Sequence, residues 1–196
     1  MPTPARTSVD AIVAAGRSIL EAEGLDRLTM QRVAAAVGVR APSLYKRVRD
    51  RWALVRLVAE DVASELALAL EAAASTGDPR ADLRALAVTY RGFAVAHPEA
   101  HALLFARLPE AARVDATLNA RAAEPILRTA AALAGPYRAL EASRTVVAWA
   151  NGFVGMELAG AFRLGGNVDE AFDYGIDRIA DSIAGVDSRE PPSSLG

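Results

Sequence analysis

The sequence predicts an all-α chain, and three observations carry that reading. Apolar residues recur at spacings of three and four along nearly every segment. Ala, Leu, Arg and Glu, all good helix formers, dominate the composition. No run sustains the apolar–polar alternation that a half-buried strand requires. With 196 residues, 52% of them hydrophobic, the chain can bury a full core, as one compact body or as a small head on a larger one.

The elements follow in order. A first helix is expected over Val9 to Glu23, burying Ile12, Ala15, Ile19 and Leu20 and stopping at Gly24. Thr29 is a natural N-cap for a short second helix reaching Val37. Gly38 supplies a turn, and a third short helix runs from Pro42 to about Val48. Asp50 caps a long fourth helix through about Leu70. Ser75-Thr76-Gly77-Asp78-Pro79 is the clearest linker. Beyond it, helices are expected at Arg80–Ala96, Pro98–Arg107, Glu110–Ala134, Ala139–Phe162 and Asp169–Ala184, with Pro125 bending or splitting the third of these. The resulting division is a three-helix head over 8–52, joined by a long helix to a helical body over 53–185, and a polar tail over 186–196 that is expected to fray.

Composition excludes several classes. There is no Cys, so disulfides and thiolate metal sites are out, and two His supply a metal site poorly. No metal and no cofactor is expected. Met1 to Ser8 lacks an apolar core and does not read as a signal peptide. The longest apolar stretch, Thr145 to Phe162, is interrupted by Asn151 and Glu157, which suits a buried helix rather than a membrane span. A cytoplasmic location with no membrane partner is the expectation. No Ser/His/Asp set, Gly-rich phosphate loop or carboxylate pair beside a base is present, so no catalytic residue is assigned and the chain does not read as an enzyme.

Charge is unevenly spread. Residues 1–60 carry ten Lys/Arg against six Asp/Glu, and residues 61–196 carry twelve against eighteen. Between Arg27 and Ala59 there are eight basic residues and one acidic, so a polyanion is drawn to that end. The cluster coincides with a motif. In Thr29 to Tyr45, Val33, Val37 and Leu44 supply apolar contacts that lock two short helices together, and Ala34 is small where they cross. Gly38 permits the left-handed turn, and Val39 fills the space beneath it. This is the helix-turn-helix pattern, which presents its second short helix to the major groove of double-stranded DNA.

Residues 8–60 resemble the DNA-binding head of the TetR family, including the Leu-Tyr-x-x-Val-x-x-Arg run over Leu44 to Arg51. The family more often has His and Phe where this chain has Arg47 and Val48, and Lys where it has Arg51; Arg for Lys keeps a phosphate-binding cation. Contacts to phosphates fix register, and contacts to base edges specify sequence. Tyr45, Lys46, Arg47 and Arg51 are the expected phosphate anchors, helped by Thr29. Gln31, Arg40, Ala41, Pro42 and Ser43 are the expected base readers. A phosphate contact for Arg40 and a packing role for Tyr45 stay open.

One head reads too little sequence, so a homodimer on a pseudo-palindromic operator is implied. In the body, Ala148, Gly152, Gly155 and Ala159 form one stripe of small residues, and Phe172, Ile176, Ile179 and Ile183 an apolar stripe on the next helix. Together these two are the candidate dimer interface, with an internal core as the competing use. Ala148-Trp149-Ala150-Asn151-Gly152 is similar to the Trp-x-His-Gly element of one TetR C-terminal subclass, with Asn151 at the His position. Tyr90, Phe93, His101, Leu104, Phe105, Trp149, Asn151, Phe153 and Met156 are the candidate walls of a pocket for a small hydrophobic or amphipathic effector. The resemblance implies a sequence-specific repressor released by that effector. The alternative is an all-α small-molecule carrier or enzyme in which the head is a packing module.

Overall fold

The computed structural model describes residues 8–184, and the expected tail lies outside them. Nine α-helices and no strand occur among the described residues: α1 Val9–Glu23, α2 Met30–Ala36, α3 Ala41–Leu44, α4 Arg51–Ala73, α5 Pro79–Ala96, α6 Pro98–Phe105, α7 Ala116–Ala134, α8 Ala139–Leu158 and α9 Val168–Ala184. They pack as two units, 8–65 with 96–119 and 66–95 with 120–184. This division differs from the linear one, because α6 belongs with the N-terminal helices.

In the first unit α1 has the expected bounds. The Ser8 hydroxyl accepts the Ala11 N–H at 3.1 Å, and Gly24, at φ 81°, ends the helix. Its buried residues are Ile12, Gly16 and Leu20, while Ala15 and Ile19 are only half-buried. Gly16 holds the centre because a Cβ there would lie 2.8 Å from a Val58 methyl, so only glycine lets α1 and α4 approach this closely. The Thr29 hydroxyl caps α2 by accepting the Arg32 N–H at 3.3 Å. Helix α3 is a single turn, shorter than the pattern suggests. The Leu44 carbonyl takes both the Arg47 and Val48 N–H groups, at 2.9 and 3.0 Å, and the chain continues as turns to the buried Val48. The Asp50 carboxylate accepts the Ala53 N–H at 2.8 Å at the start of α4, and this bond, seconded by Arg49, holds its carboxyl below the usual range. Helix α6 packs against α1, and the Glu21 carboxylate accepts the Ala100 N–H of its first turn at 3.3 Å.

The second unit has one apolar core built from four helices. Leu83 and Ala87 of α5, Ala130 and Ala134 of α7, Ala142 and Val146 of α8, and Phe172, Ile176, Ala180 and Ile183 of α9 meet there. Trp149, Phe153 and Phe172 form an aromatic cluster with centroids 5.1–5.7 Å apart. Gly175 makes room for it: a Cβ at 175 would sit 2.4 Å from Cζ2 of Trp149. Polar bonds tie the helices at the rim. Arg84 reaches Asp173 at 2.7 Å and Asp177 at 2.8 Å, and Arg80 reaches Asp181 at 2.6 Å. Arg91 binds Glu157 through two nitrogens and Asp169 through one, and stands 4.9 Å over the Phe172 ring. Its pair with Glu157 is the most sheltered of these, with both side chains about four-fifths covered.

Two boundaries in the C-terminal half depart from the sequence pattern. Glu110–Ala112 is a separate 3-10 turn, and α7 starts only at Ala116, where the Asp115 carboxylate caps it through the Thr117 N–H at 2.8 Å. Pro125 then lies buried inside α7 without ending it. Helix α8 stops at Leu158, short of Phe162. Gly160, at φ 60°, lets the Ala161 N–H reach the Met156 carbonyl and the Gly160 N–H reach that of Glu157, both at 2.9 Å, a glycine C-cap that satisfies the last carbonyls.

Candidate nucleic-acid interface

The segment from Thr29 to Arg47 folds as two short helices around a glycine turn. Val33 and Leu44 are fully buried where α2 meets α3. Gly38, at φ 76°, closes α2 in the same way that Gly160 closes α8. The Val39 N–H bonds the Ala34 carbonyl at 2.9 Å, and the Gly38 N–H bonds that of Ala35 at 3.1 Å. Val37 and Val39 are half-buried under this turn. The buried side chains of the segment, Met30, Val33, Ala34 and Leu44, are all apolar.

What is left outside is polar and cationic. Gln31, Arg40, Pro42, Tyr45, Lys46 and Arg47 are exposed, and Thr29, Ala41 and Ser43 are half-exposed. Tyr45 is 53% exposed, so about half of its surface is open to solvent. The cations fall into two groups. Arg17 is bound by Asp61 and Glu65, Arg32 by Glu23, Arg49 by Asp50 and Arg56 by Glu60. Arg27, Arg40, Lys46 and Arg47 have no carboxylate partner among the described residues. A surface with exposed, unneutralised cations on the turn that presents α3 suits the phosphate backbone of a duplex.

Arg51 also has no carboxylate partner among the described residues, but one edge of its guanidinium is occupied: its Nε donates to the Leu28 carbonyl at 2.9 Å and its Nη2 to the Leu25 carbonyl at 2.8 Å. Arg27, on the turn Leu25–Arg27, was not among the sequence candidates. The basic run that contains it was visible, but the motif gives its position no role.

Two family models match the chain. One, described as "Bacterial regulatory proteins, tetR family", covers residues 12–58, and the other, "Tetracyclin repressor-like, C-terminal domain", covers residues 83–179. This chain belongs to the TetR family of transcriptional regulators. Among its relatives, the tetracycline repressor protein class E of Escherichia coli is 31% identical over 58 residues, 30% of this chain and 28% of that protein. A solved protein of unknown function from Rhodococcus sp. RHA1 is 29% identical, with a TM-score of 0.80 over 93% of this chain and 97% of that one. The TetR Q116A variant from Acinetobacter baumannii AYE, solved with minocycline, is 23% identical, with a TM-score of 0.66 over 89% and 95% of the two chains, and shares the fold.

The other TetR-type candidates are distributed between the units. Tyr90, Phe93, Trp149, Asn151, Phe153 and Met156 lie in the second, and His101, Leu104 and Phe105 in the first. The Tyr90 hydroxyl donates to the Asn151 Oδ1 at 3.2 Å, and burial pushes the Tyr90 phenol well above its ordinary value. His101 is buried beside the Phe105 ring, 5.1 Å between centroids, and burial lowers its pKa. The described residues contain no cluster of three or more His, Cys, Asp or Glu placed to hold a metal, and no helix long and apolar enough to cross a membrane.

The dimer candidates divide sharply. Ala148, Gly152, Gly155 and Ala159 are exposed, and a Cβ at Gly152 or Gly155 would meet nothing within 4 Å. Phe172 and Ile176 are 1% exposed and Ile183 6%, with Ile179 packed against the same core. Phe172, Ile176 and Ile183 are corrected to internal residues, because α9 turns its apolar stripe onto α5, α7 and α8, while Ile179 is half-buried at the edge of that core. The exposed side of α9 carries Tyr174 instead, 70% exposed and stacked by Arg178 at 5.8 Å.

Proposed function

We propose that this chain is a homodimeric repressor that holds a pseudo-palindromic operator and releases it when a small apolar or amphipathic effector binds. The observation that carries the DNA-binding half is the exposed face of residues 40–47, where Arg40, Lys46 and Arg47 stand without carboxylate partners among the described residues. In this reading Tyr45, Lys46, Arg47 and Thr29 hold phosphates, while Gln31, Arg40, Ala41, Pro42 and Ser43 meet base edges. The small-residue stripe of α8 supplies the seam between protomers. Effector binding favours a body conformation that sets the two heads at the wrong spacing, which lowers affinity by differential binding to two states. The minocycline complex of the A. baumannii TetR variant is a precedent in the same fold for a ligand-bound form.

Titrating the protein against labelled DNA from upstream of its own coding sequence tests the first half. Binding should be salt-dependent and stronger than to a scrambled duplex of equal length. Equal affinity for both at moderate salt overturns sequence-specific regulation. For the dimer, Gly155→Leu should shift the protein toward monomer in sedimentation, since a bulky side chain on the exposed stripe blocks a helix from approaching. An unchanged mass would place the seam elsewhere.

A further inference from the structure

We infer that Arg51 serves DNA binding as a positioning residue, and that the phosphate-facing cation of its corner is Arg27. This rests on the DNA-binding reading above. The guanidinium edge formed by Nε and Nη2 is one of the edges that can grip a phosphate through paired bonds. Here it donates instead to the Leu28 carbonyl at 2.9 Å and the Leu25 carbonyl at 2.8 Å, while the guanidinium carbon stands 4.8 Å over the Trp52 ring. Those carbonyls bracket the turn Leu25–Arg27, which leads through the fully buried Leu28 to Thr29, the cap of α2. The fork therefore fixes the entry to the helix-turn-helix from the first residue of α4.

The same turn carries Arg27, which is exposed and makes no ion pair among the described residues. A cation held on a clamped turn keeps a fixed place on a phosphate, whereas one on a loose turn must be ordered at the moment of binding. Lysine cannot replace the clamp, because a single ammonium lacks the planar fork that spans two carbonyls.

The test measures affinity for a mixed-sequence duplex across a salt series, for wild type, Arg27→Gln, Arg51→Gln, the double variant and Arg51→Lys. Arg27→Gln should lower the slope of log K against log salt by about one and weaken binding several-fold. The double variant should keep the slope of Arg27→Gln alone, and Arg51→Lys, despite its intact charge, should behave like Arg51→Gln. A double variant whose slope falls by about two overturns the inference, as does an Arg51→Lys protein that binds like wild type. If thermal unfolding shows Arg51→Gln to be unfolded, Arg51→Lys and the Arg27→Gln slope still decide, and an unchanged slope for the latter overturns it. Wild type that shows no salt-dependent DNA binding defeats the regulator reading itself, and that is seen before any variant is compared.

Discussion

In the second unit Arg84, Arg91 and Arg128 each reach a carboxylate on another helix, whereas Arg40, Lys46 and Arg47 of the first stand exposed with none among the described residues. The same side-chain chemistry serves two ends. Where a guanidinium bridges helices its charge is neutralised at home, and the unit gains alignment at its rim. Where it must meet a partner it is left uncommitted, and the buried side chains beneath it are apolar. Arg51 follows neither rule: it meets no carboxylate among the described residues, and one edge of its guanidinium is taken up by the Leu25 and Leu28 carbonyls.

Variants can separate these uses. The largest effect should come from Phe172→Ala, which removes a ring at 1% exposure from the core of four helices. It should cost about 3–5 kcal/mol in chemical denaturation. If the loss stayed under about 1 kcal/mol, α9 would not be integral to the second unit. Next in size, Tyr45→Ala with Arg47→Ala should lower affinity for all duplexes about ten-fold or more, or about 1.4 kcal/mol, with the thermal midpoint nearly unchanged because both side chains are exposed. A large drop in midpoint would mean that these residues hold the fold, and the contrast between the units would collapse.

A smaller effect is expected from His101. Burial lowers its pKa in the folded protein, so the unfolded chain binds the proton more readily. Its contribution is intact above the unfolded value of about 6.5 and is lost as pH falls below it. The thermal midpoint of wild type should therefore drop on acidification from about pH 7.5 to about pH 5.5 by more than that of His101→Phe. Equal drops in the two proteins would assign the acid sensitivity to other groups.

Legibility from sequence followed the range of the interactions. The Val9–Glu23 helix, the Thr29 cap and the Gly38 turn are set by residues within a few positions of one another, and all three are where the pattern puts them. The packing of α6 on α1 is set by contacts nearly eighty residues apart, which no local pattern announces. Phe172, Ile176 and Ile183 show why the seam was harder to read: an apolar stripe at helical spacing looks the same whether it faces its own core or a second copy. The split of the helix expected over 110–134 turned on Asp115, a cap that only the backbone break at Arg113 reveals. The Arg91 bridge was hidden for a related reason, since Glu157 read as a lone polar residue until its partner on α5 came into view.

Gly175 and Trp149 form a single unit of inheritance. The indole occupies the volume that any side chain at 175 would need, so neither position is free to vary while the other stays as it is. A larger residue at 175 becomes admissible only after 149 has shrunk, and shrinking 149 first opens a void against Phe153 and Phe172. Each order of substitution passes through a less stable intermediate, so the pair should drift together or not at all, and libraries that randomise α8 or α9 alone will sample only one side of that barrier.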